Sequence, residues 1–341
     1  MAKDNLKIII PMAGYGTRLR PHTWSKPKPL VSAAGKPILG HVIDSLATAP
    51  DLDKAEITFI VGFHGEQVRP YMEENYAQIK AHYYAQEEMN GQSPAIALGR
   101  QHLHGPTIIL FVDTIADIDF GLLRGEKAAV TWVKEVEDPR RFGVAVTDGD
   151  GRVRSLVEKP DTMENKLALI GCYYFPRGED LLAAIDRQIA EGAKSKGEYY
   201  LVDAVNILLR DGLKMRAAQV NVWLDAGVPA TVLDTNRYLL DHGRDNSAEA
   251  AKRSGVTVLP PIYLHPGAQV EKARLGPHVS VGAGCVVKDS EVKDSVLEPD
   301  AQVVGSKLRG SLVGMRAQVR NVNGMVNIGD DAVIEGYDPS I

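Results

Sequence analysis

From residue 275 onward the chain returns to six-residue units of one pattern. LGPHVS (275 to 280) and VGAGCV (281 to 286) are consecutive units with an aliphatic first position and a small second one, and LEPDAQ (297 to 302), VGMRAQ (313 to 318) and IGDDAV (328 to 333) repeat the theme less regularly. A six-residue period that turns its aliphatic side chains inward marks a parallel β-helix, in which each coil buries the faces of its neighbours. Few other architectures accept such a period. A β-sandwich with coincidental spacing is the alternative that these repeats leave open.

Up to about residue 220 a different rule holds. Short β-rich runs at 7–11, 57–61, 107–112 and 128–133 alternate with amphipathic stretches at 37–47, 94–103 and 179–190 that read as helices, the first two opening on a proline, where the missing N–H costs nothing. This alternation predicts an α/β domain, Rossmann-like, with a mainly parallel sheet and helices on both faces. Such sheets bind ligands at the carboxyl ends of their strands. The polar run DHGRDNSAEAAKRSG (241 to 255) and the pair Pro260-Pro261 then punctuate the chain. The expected division is an α/β domain at 1–243, a linker or helix at 244–260 and a left-handed β-helix at 261–336, the last with about four turns of about 18 residues.

Composition narrows the partners. A chain of 341 residues, 44% hydrophobic and 24% charged, has the length for two domains and the apolar content for a packed core. Its 39 basic and 44 acidic residues are spread without blocks, which argues against nucleic acid and anionic membrane as partners. Cys172 and Cys285 form no C-x-x-C, so neither a disulfide framework nor a zinc site is expected. No signal-peptide core and no long apolar run is present, and a cytoplasmic location is the expectation.

The chemistry concentrates at 8–30, IIIPMAGYGTRLRPHTWSKPKPL. An apolar strand runs into a loop where Gly14 and Gly16 let the backbone approach a ligand closely and present N–H groups to phosphate oxygens. Arg18, Arg20, Lys26 and Lys28 bring cations to the same stretch, so a polyphosphate is the natural guest. The loop is not a dinucleotide fingerprint, since Leu19 stands where a third glycine would be needed, and no Walker sequence is present.

The string G-x-G-T-R-L-x-P-x-T followed by P-K-P-L resembles the signature of the sugar-1-phosphate nucleotidylyltransferases, and the hexapeptide pattern resembles the left-handed β-helix appended to many of them. That resemblance implies transfer of a nucleotidyl group from a nucleoside triphosphate to a hexose 1-phosphate, with pyrophosphate leaving. The protein's work in such a reaction is positioning and charge neutralisation, with Mg²⁺ held by one or two carboxylates. Asp113, after the run TIILFV, and Asp225, in W-L-D-A-G-V-P, are the implied metal ligands. Val112 departs from the glycine usual before the first of them. Asp117 and Asp119 are reserve candidates that fit better as a helix cap.

By the same resemblance Met12, Ala13, Gly14, Gly16 and Thr17 surround the nucleotide, with Gln86 and Gly91 at the base. A buried amide pairs with both a donor and an acceptor on a pyrimidine edge, and Ser93 ahead of Pro94 reads as a helix cap. Arg18 is the first choice for stabilising pyrophosphate and Lys28 adds a second charge, while Arg20 and Lys26 read as solvated. EDPRRFGVAV (137 to 146), SLVEKP (155 to 160) and ALIGCYYF (168 to 175) match further family segments in order. They imply Gly143, Glu158 and Lys159 for sugar hydroxyls and phosphate, and Gly171 and Tyr173 for the sugar pocket, although a buried strand asks for the same residues as ALIGCYYF. Leu169 and Ile170 stand where the N-acetylglucosamine enzymes tend to have asparagine, which favours a plain hexose.

Glucose 1-phosphate with dTTP or UTP is therefore the leading pair of substrates. Mannose-1-phosphate guanylyl transfer, acyl transfer by the β-helix with His265 or His278 as base, and a non-catalytic regulatory paralogue are the alternatives. The β-helix is expected to support a homo-oligomer.

Overall fold

Three consecutive isoleucines, Ile8, Ile9 and Ile10, decide the place of the first strand. All are fully buried, so the strand is covered on both faces, as an apolar run without alternation requires. In the computed structural model, which describes residues 5–336, the strand Lys7–Pro11 lies within a nine-stranded sheet. It pairs in parallel with Glu56–Val61 on one side and with Thr107–Leu110 on the other, and Lys80–Ala85 extends the parallel run beyond Glu56–Val61. The long strand Leu167–Phe175 then runs antiparallel to Thr107–Leu110, Ala129–Glu135 and Gly143–Thr147. The sheet is thus mixed, with a parallel core. The expected helices are found as Ile38–Ser45, Gln92–Leu98 and Gly178–Ala190. The second is shorter than its sequence pattern, because Gly99 ends it and a 3-10 turn, Arg100–His102, follows.

Leu167–Phe175 is broken at Gly171, which stands at φ +81, and the pairing register shifts between Leu169 and Tyr173. A bulge of this kind re-aims backbone groups. Here the Gly171 carbonyl accepts from Phe111 N at 2.9 Å and the Ile170 carbonyl accepts from Thr114 Oγ1. A Cβ on Gly171 would lie 3.1 Å from Phe111 Cβ, so backbone conformation and close approach both call for glycine. The turn that carries Asp113 is fastened by this bulge.

The described residues fall into two compact units that do not follow chain order, 5–14 with 42–223 and 15–41 with 224–336. The second unit contains three sheets of five short parallel strands each, the architecture of a left-handed β-helix. Its rungs follow the chain at intervals of fifteen to seventeen residues, Arg274 pairing with Glu291, Glu291 with Lys307 and Gln318 with Val333. The first rung, Val256–Val258, precedes Pro260, so five coils are present where the repeats alone suggest about four. Ile262, Val279, Val281, Val287, Val303 and Val319 fill the interior, with the small side chains of Ala268, Cys285, Ala301 and Ala317 among them. Buried serines link successive coils. Ser306 N donates to Ser290 Oγ at 3.1 Å and Val322 N donates to Ser306 Oγ at 3.1 Å, while each hydroxyl donates to a carbonyl two residues back.

Candidate active site

In the first unit the strand Lys7–Pro11 delivers Met12 and Ala13, both buried, and then the exposed Gly14. Met12 N donates to the carbonyl of Ile60 at 2.8 Å, which carries the parallel pairing one residue beyond the strand. Asp113 follows Thr107–Leu110 in the turn held by the Gly171 bulge, half-buried at the carboxyl end of a central strand. This is where the sequence pattern expects it. Asp119 takes the capping role expected of both reserve aspartates, whereas Asp117 instead holds a distant backbone amide. Asp117 Oδ1 accepts from Val222 N at 2.9 Å and Asp119 Oδ1 accepts from Gly121 N at 2.8 Å, capping Phe120–Leu123.

Gln86 is buried, and its Nε2 donates to the carbonyls of Glu88 at 3.0 Å and Gly91 at 3.4 Å, which fixes the plane of the amide. Gly91, at φ +121, bridges to Tyr199 and precedes Gln92–Leu98. Ser93 does not cap that helix. Its hydroxyl donates instead to the carbonyl of Tyr200 at 3.2 Å, because the helix begins before it and Tyr199-Tyr200 packs alongside.

Glu158 ends the strand Val153–Glu158, and its Oε2 stands 3.0 Å from the point a Gly143 Cβ would occupy. Lys159 Nζ lies 3.8 Å from Glu158 Oε1 and 5.4 Å above the Tyr200 ring. Burial raises the Glu158 carboxyl above its ordinary value against the pull of Lys159, with the Asp203 charge adding to the rise. Asp203 has no sequence motif to announce it. Burial raises its carboxyl too, and its Oδ2 is enclosed without a hydrogen-bond partner. The one local cue is its place in the first turn of Leu201–Arg210, directly after two tyrosines. Tyr173 is 3% exposed and belongs to the hydrophobic core around Ile109, Phe175 and Tyr200. Its phenol is pushed up by burial and then by the Glu158 charge.

In the second unit Gly16 adopts φ +61 ahead of the 3-10 turn Thr17–Leu19, and a Cβ on it would lie 3.1 Å from Lys28 Cβ. The loop folds back so that its glycine and its second lysine touch. Thr17 and Arg18 are exposed and Lys28 is half-buried. Asp225 ends the strand Trp223–Asp225. Around the point a Gly227 Cβ would occupy, Asp225 Oδ1 lies at 2.7 Å and Arg18 Nη2 at 3.3 Å. Two segments far apart in the chain thus bring a guanidinium and a carboxylate to one place. Arg20 is exposed, as expected. Lys26 is not solvated: it is 2% exposed, and its ammonium is paired with Glu298 and with Asp330, carboxylates supplied by turns of the β-helix.

Asp113 and Asp225 are hard oxygen donors at strand ends, the chemistry a divalent ion such as magnesium takes. Among the described residues Glu56, His82 and His102 have ligand atoms close enough together for an ion. It stands where Lys7, Glu56 and Lys80 pair at the amino ends of their strands. Glu56 Oε1 is already shared by Lys7 Nζ at 2.9 Å and Lys80 Nζ at 3.0 Å, so two ammonium groups answer the carboxylate there. No helix among the described residues is long and apolar enough to cross a membrane.

Comparison with known proteins identifies the family. The family model for nucleotidyl transferase matches residues 7–242. A glucose-1-phosphate thymidylyltransferase of Streptomyces antibioticus is 28% identical over 92% of this chain and 93% of its own. A UTP–glucose-1-phosphate uridylyltransferase of Haloferax volcanii is 30% identical over 66% of this chain and 92% of its own. The solved nucleoside-diphosphate-sugar pyrophosphorylase of Vibrio cholerae superposes with a TM-score of 0.60 at 23% identity, covering 67% of this chain and 99% of that one, a likeness of fold. The chain belongs to the nucleotidyl transferase family, in its sugar-1-phosphate nucleotidylyltransferase branch.

Proposed function

We propose that the enzyme joins glucose 1-phosphate to dTTP or UTP with Mg²⁺, releasing pyrophosphate. The observation that carries this reading is the approach of Arg18 and Asp225 to one point beside Gly227, a cation for the departing phosphates next to a carboxylate for the metal. Asp113 and Asp225 would hold the Mg²⁺, which neutralises phosphate charge when bound. Gly14, Gly16 and Thr17 offer backbone N–H groups to the triphosphate, with Met12 and Ala13 beneath the nucleoside. Arg18 and Lys28 bear the charge that develops as pyrophosphate leaves. Gln86 and Gly91 select the base. Gly143 and Gly171 present backbone to the sugar, Glu158 accepts from its hydroxyls, Lys159 pairs with its phosphate, and Tyr173 supports that pocket from the core. The thymidylyl and uridylyl activities named for the two relatives support a pyrimidine triphosphate and glucose 1-phosphate. A homo-oligomer assembled through the coil, in the cytoplasm, completes the reading.

The test is pyrophosphate release with Mg²⁺ across dTTP, UTP, GTP, ATP and CTP against glucose, mannose, galactose and N-acetylglucosamine 1-phosphates, with Asp225→Asn as control. Turnover confined to glucose 1-phosphate with dTTP or UTP, and lost in the control, is the expected result. Turnover only with GTP and mannose 1-phosphate would replace these substrates. Silence from folded protein would overturn the catalytic reading.

A further inference from the structure

Lys26 lies within the phosphate loop, between Arg18 and Lys28, yet all its charge partners belong to the β-helix. Its ammonium sits between Glu298 Oε2 and Asp330 Oδ1, with every side chain of the triad less than 5% exposed. The remaining carboxylate atoms are also engaged. Glu298 Oε1 accepts from Ser32 N at 2.8 Å, Asp330 Oδ2 accepts from Ser25 Oγ at 2.6 Å, and Asp330 Oδ1 accepts in addition from Met315 N at 2.8 Å. Glu298 follows the strand Ser295–Leu297 and Asp330 follows Asn327–Ile328, while Leu312–Val313 lies between those two strands in one sheet. The clamp therefore spans one corner of three successive coils. The same stretch of loop is tied again where His22 Nε2 meets Asn327 Oδ1 at 2.7 Å, and where Pro21 O comes within 2.8 Å of the point a Gly329 Cβ would occupy.

A buried ion triad is a poor source of stability, since desolvation offsets most of the Coulombic gain and an apolar replacement is often neutral or better. What it supplies is geometry, because ions in a dry site tolerate no other partner arrangement. We propose that the last three coils of the β-helix are part of the catalytic scaffold, and that Lys26 is a positioning residue whose clamp sets the backbone from which Arg18 and Lys28 reach the triphosphate. The role of Arg18 and Lys28 rests on the function proposed above; the clamp itself does not.

The experiment compares the wild type, Lys26→Met, and the triple variant Lys26→Met/Glu298→Gln/Asp330→Asn in the full chain. Four quantities are read: melting temperature, kcat and KM for pyrophosphate release, and hydrogen exchange of amides 16–31. Lys26→Met leaves two uncompensated carboxylates and is expected to lower both melting temperature and kcat. The triple variant removes the charges together, so its melting temperature should return to within a few degrees of wild type. Its kcat should stay about 100-fold down, with KM for the sugar phosphate little changed, and amides 16–31 should exchange faster while those of 279–319 keep their protection. Recovery of kcat along with melting temperature would show the triad to be a stability element only and overturn the proposal. So would unchanged protection of 16–31 in the triple variant. If the wild type itself releases no pyrophosphate, the functional reading fails, and the exchange of 16–31 still decides whether the coil holds the loop.

Discussion

Thr23 Oγ1 donates a 2.8 Å hydrogen bond to the carbonyl of Gly16, closing the phosphate loop on the residue held at φ +61. A Cβ on Gly16 would stand 3.0 Å from Thr23 Cγ2. Gly16→Ala therefore meets a left-handed backbone and a close neighbour together. We expect it to cost about 1–2 kcal/mol of stability and to lower kcat at least about tenfold. Denaturant titration and pyrophosphate release on the same preparation check both figures; a variant with wild-type turnover would show that the loop's conformation does not matter to the reaction.

Arg18→Lys keeps the charge and removes the fork. Beside Asp225 at Gly227, a single ammonium without the planar fork of donors cannot reproduce what a guanidinium offers to the phosphates proposed to bind there. The loss expected in kcat is about 100-fold, at an unchanged melting temperature because Arg18 is exposed.

Glu158 supplies a pH signature. Its carboxyl, raised by burial, takes up a proton at a higher pH than an ordinary glutamate, and only the ionised form accepts from two sugar hydroxyls at once. KM for the sugar phosphate should therefore begin to rise on acidification at a pH above the 4.5 of an ordinary glutamate. Glu158→Gln should raise KM about tenfold and flatten that dependence. A pH-independent KM in the wild type would remove Glu158 from the sugar site.

Stability should fall with acidification in two stages, through neighbouring groups of the first unit. Burial, reinforced by the charge of His82, lowers His102 from 6.5, so the unfolded chain takes up that proton first and stability is lost as the pH drops below about 6.5. The hydrogen bond from Lys7 holds Glu56 down at about 2 against an ordinary 4.5, so its contribution is present above 4.5 and is lost as the pH falls from there towards about 2. Urea midpoints measured across this range should show His102→Gln flattening the upper stage and Glu56→Gln the lower.

The serine ladder of the coil makes a prediction independent of catalysis. Ser306→Val leaves the Val322 amide and the Val304 carbonyl without the hydroxyl that serves both. The expected cost is about 1–3 kcal/mol, read as a shift in the denaturation midpoint. A neutral result would mean that the coil closes over the gap.

Much of the fold was legible because its signals are local. The apolar run at Ile8, Ile9 and Ile10 read as a strand, and the six-residue period as a coil that turns its aliphatic positions inward. Asp113 was placed by the strand before it, and the capping role of Asp119 by turn chemistry, while Asp117 turned to the distant amide of Val222. The errors lie where a residue's partner is distant. Ser93 looked like a cap from its neighbours, but its hydroxyl turns to Tyr200. Lys26 looked solvated because nothing near it in sequence is acidic, and Glu298 and Asp330 are invisible from residue 26.

The sequence by itself determined the kinds of element, their order, and the chemistry carried by the glycine loop, since helix, strand, coil period and phosphate-binding turn all follow from residues within one or two turns of each other. Only the tertiary structure decided that Arg18 meets Asp225 beside Gly227, that a bulge at Gly171 fastens the turn of Asp113, and that Lys26 is locked into the β-helix. Each of these depends on which distant backbone comes close and which charge is shut away from water. Those are properties of packing, and a one-dimensional pattern does not contain them.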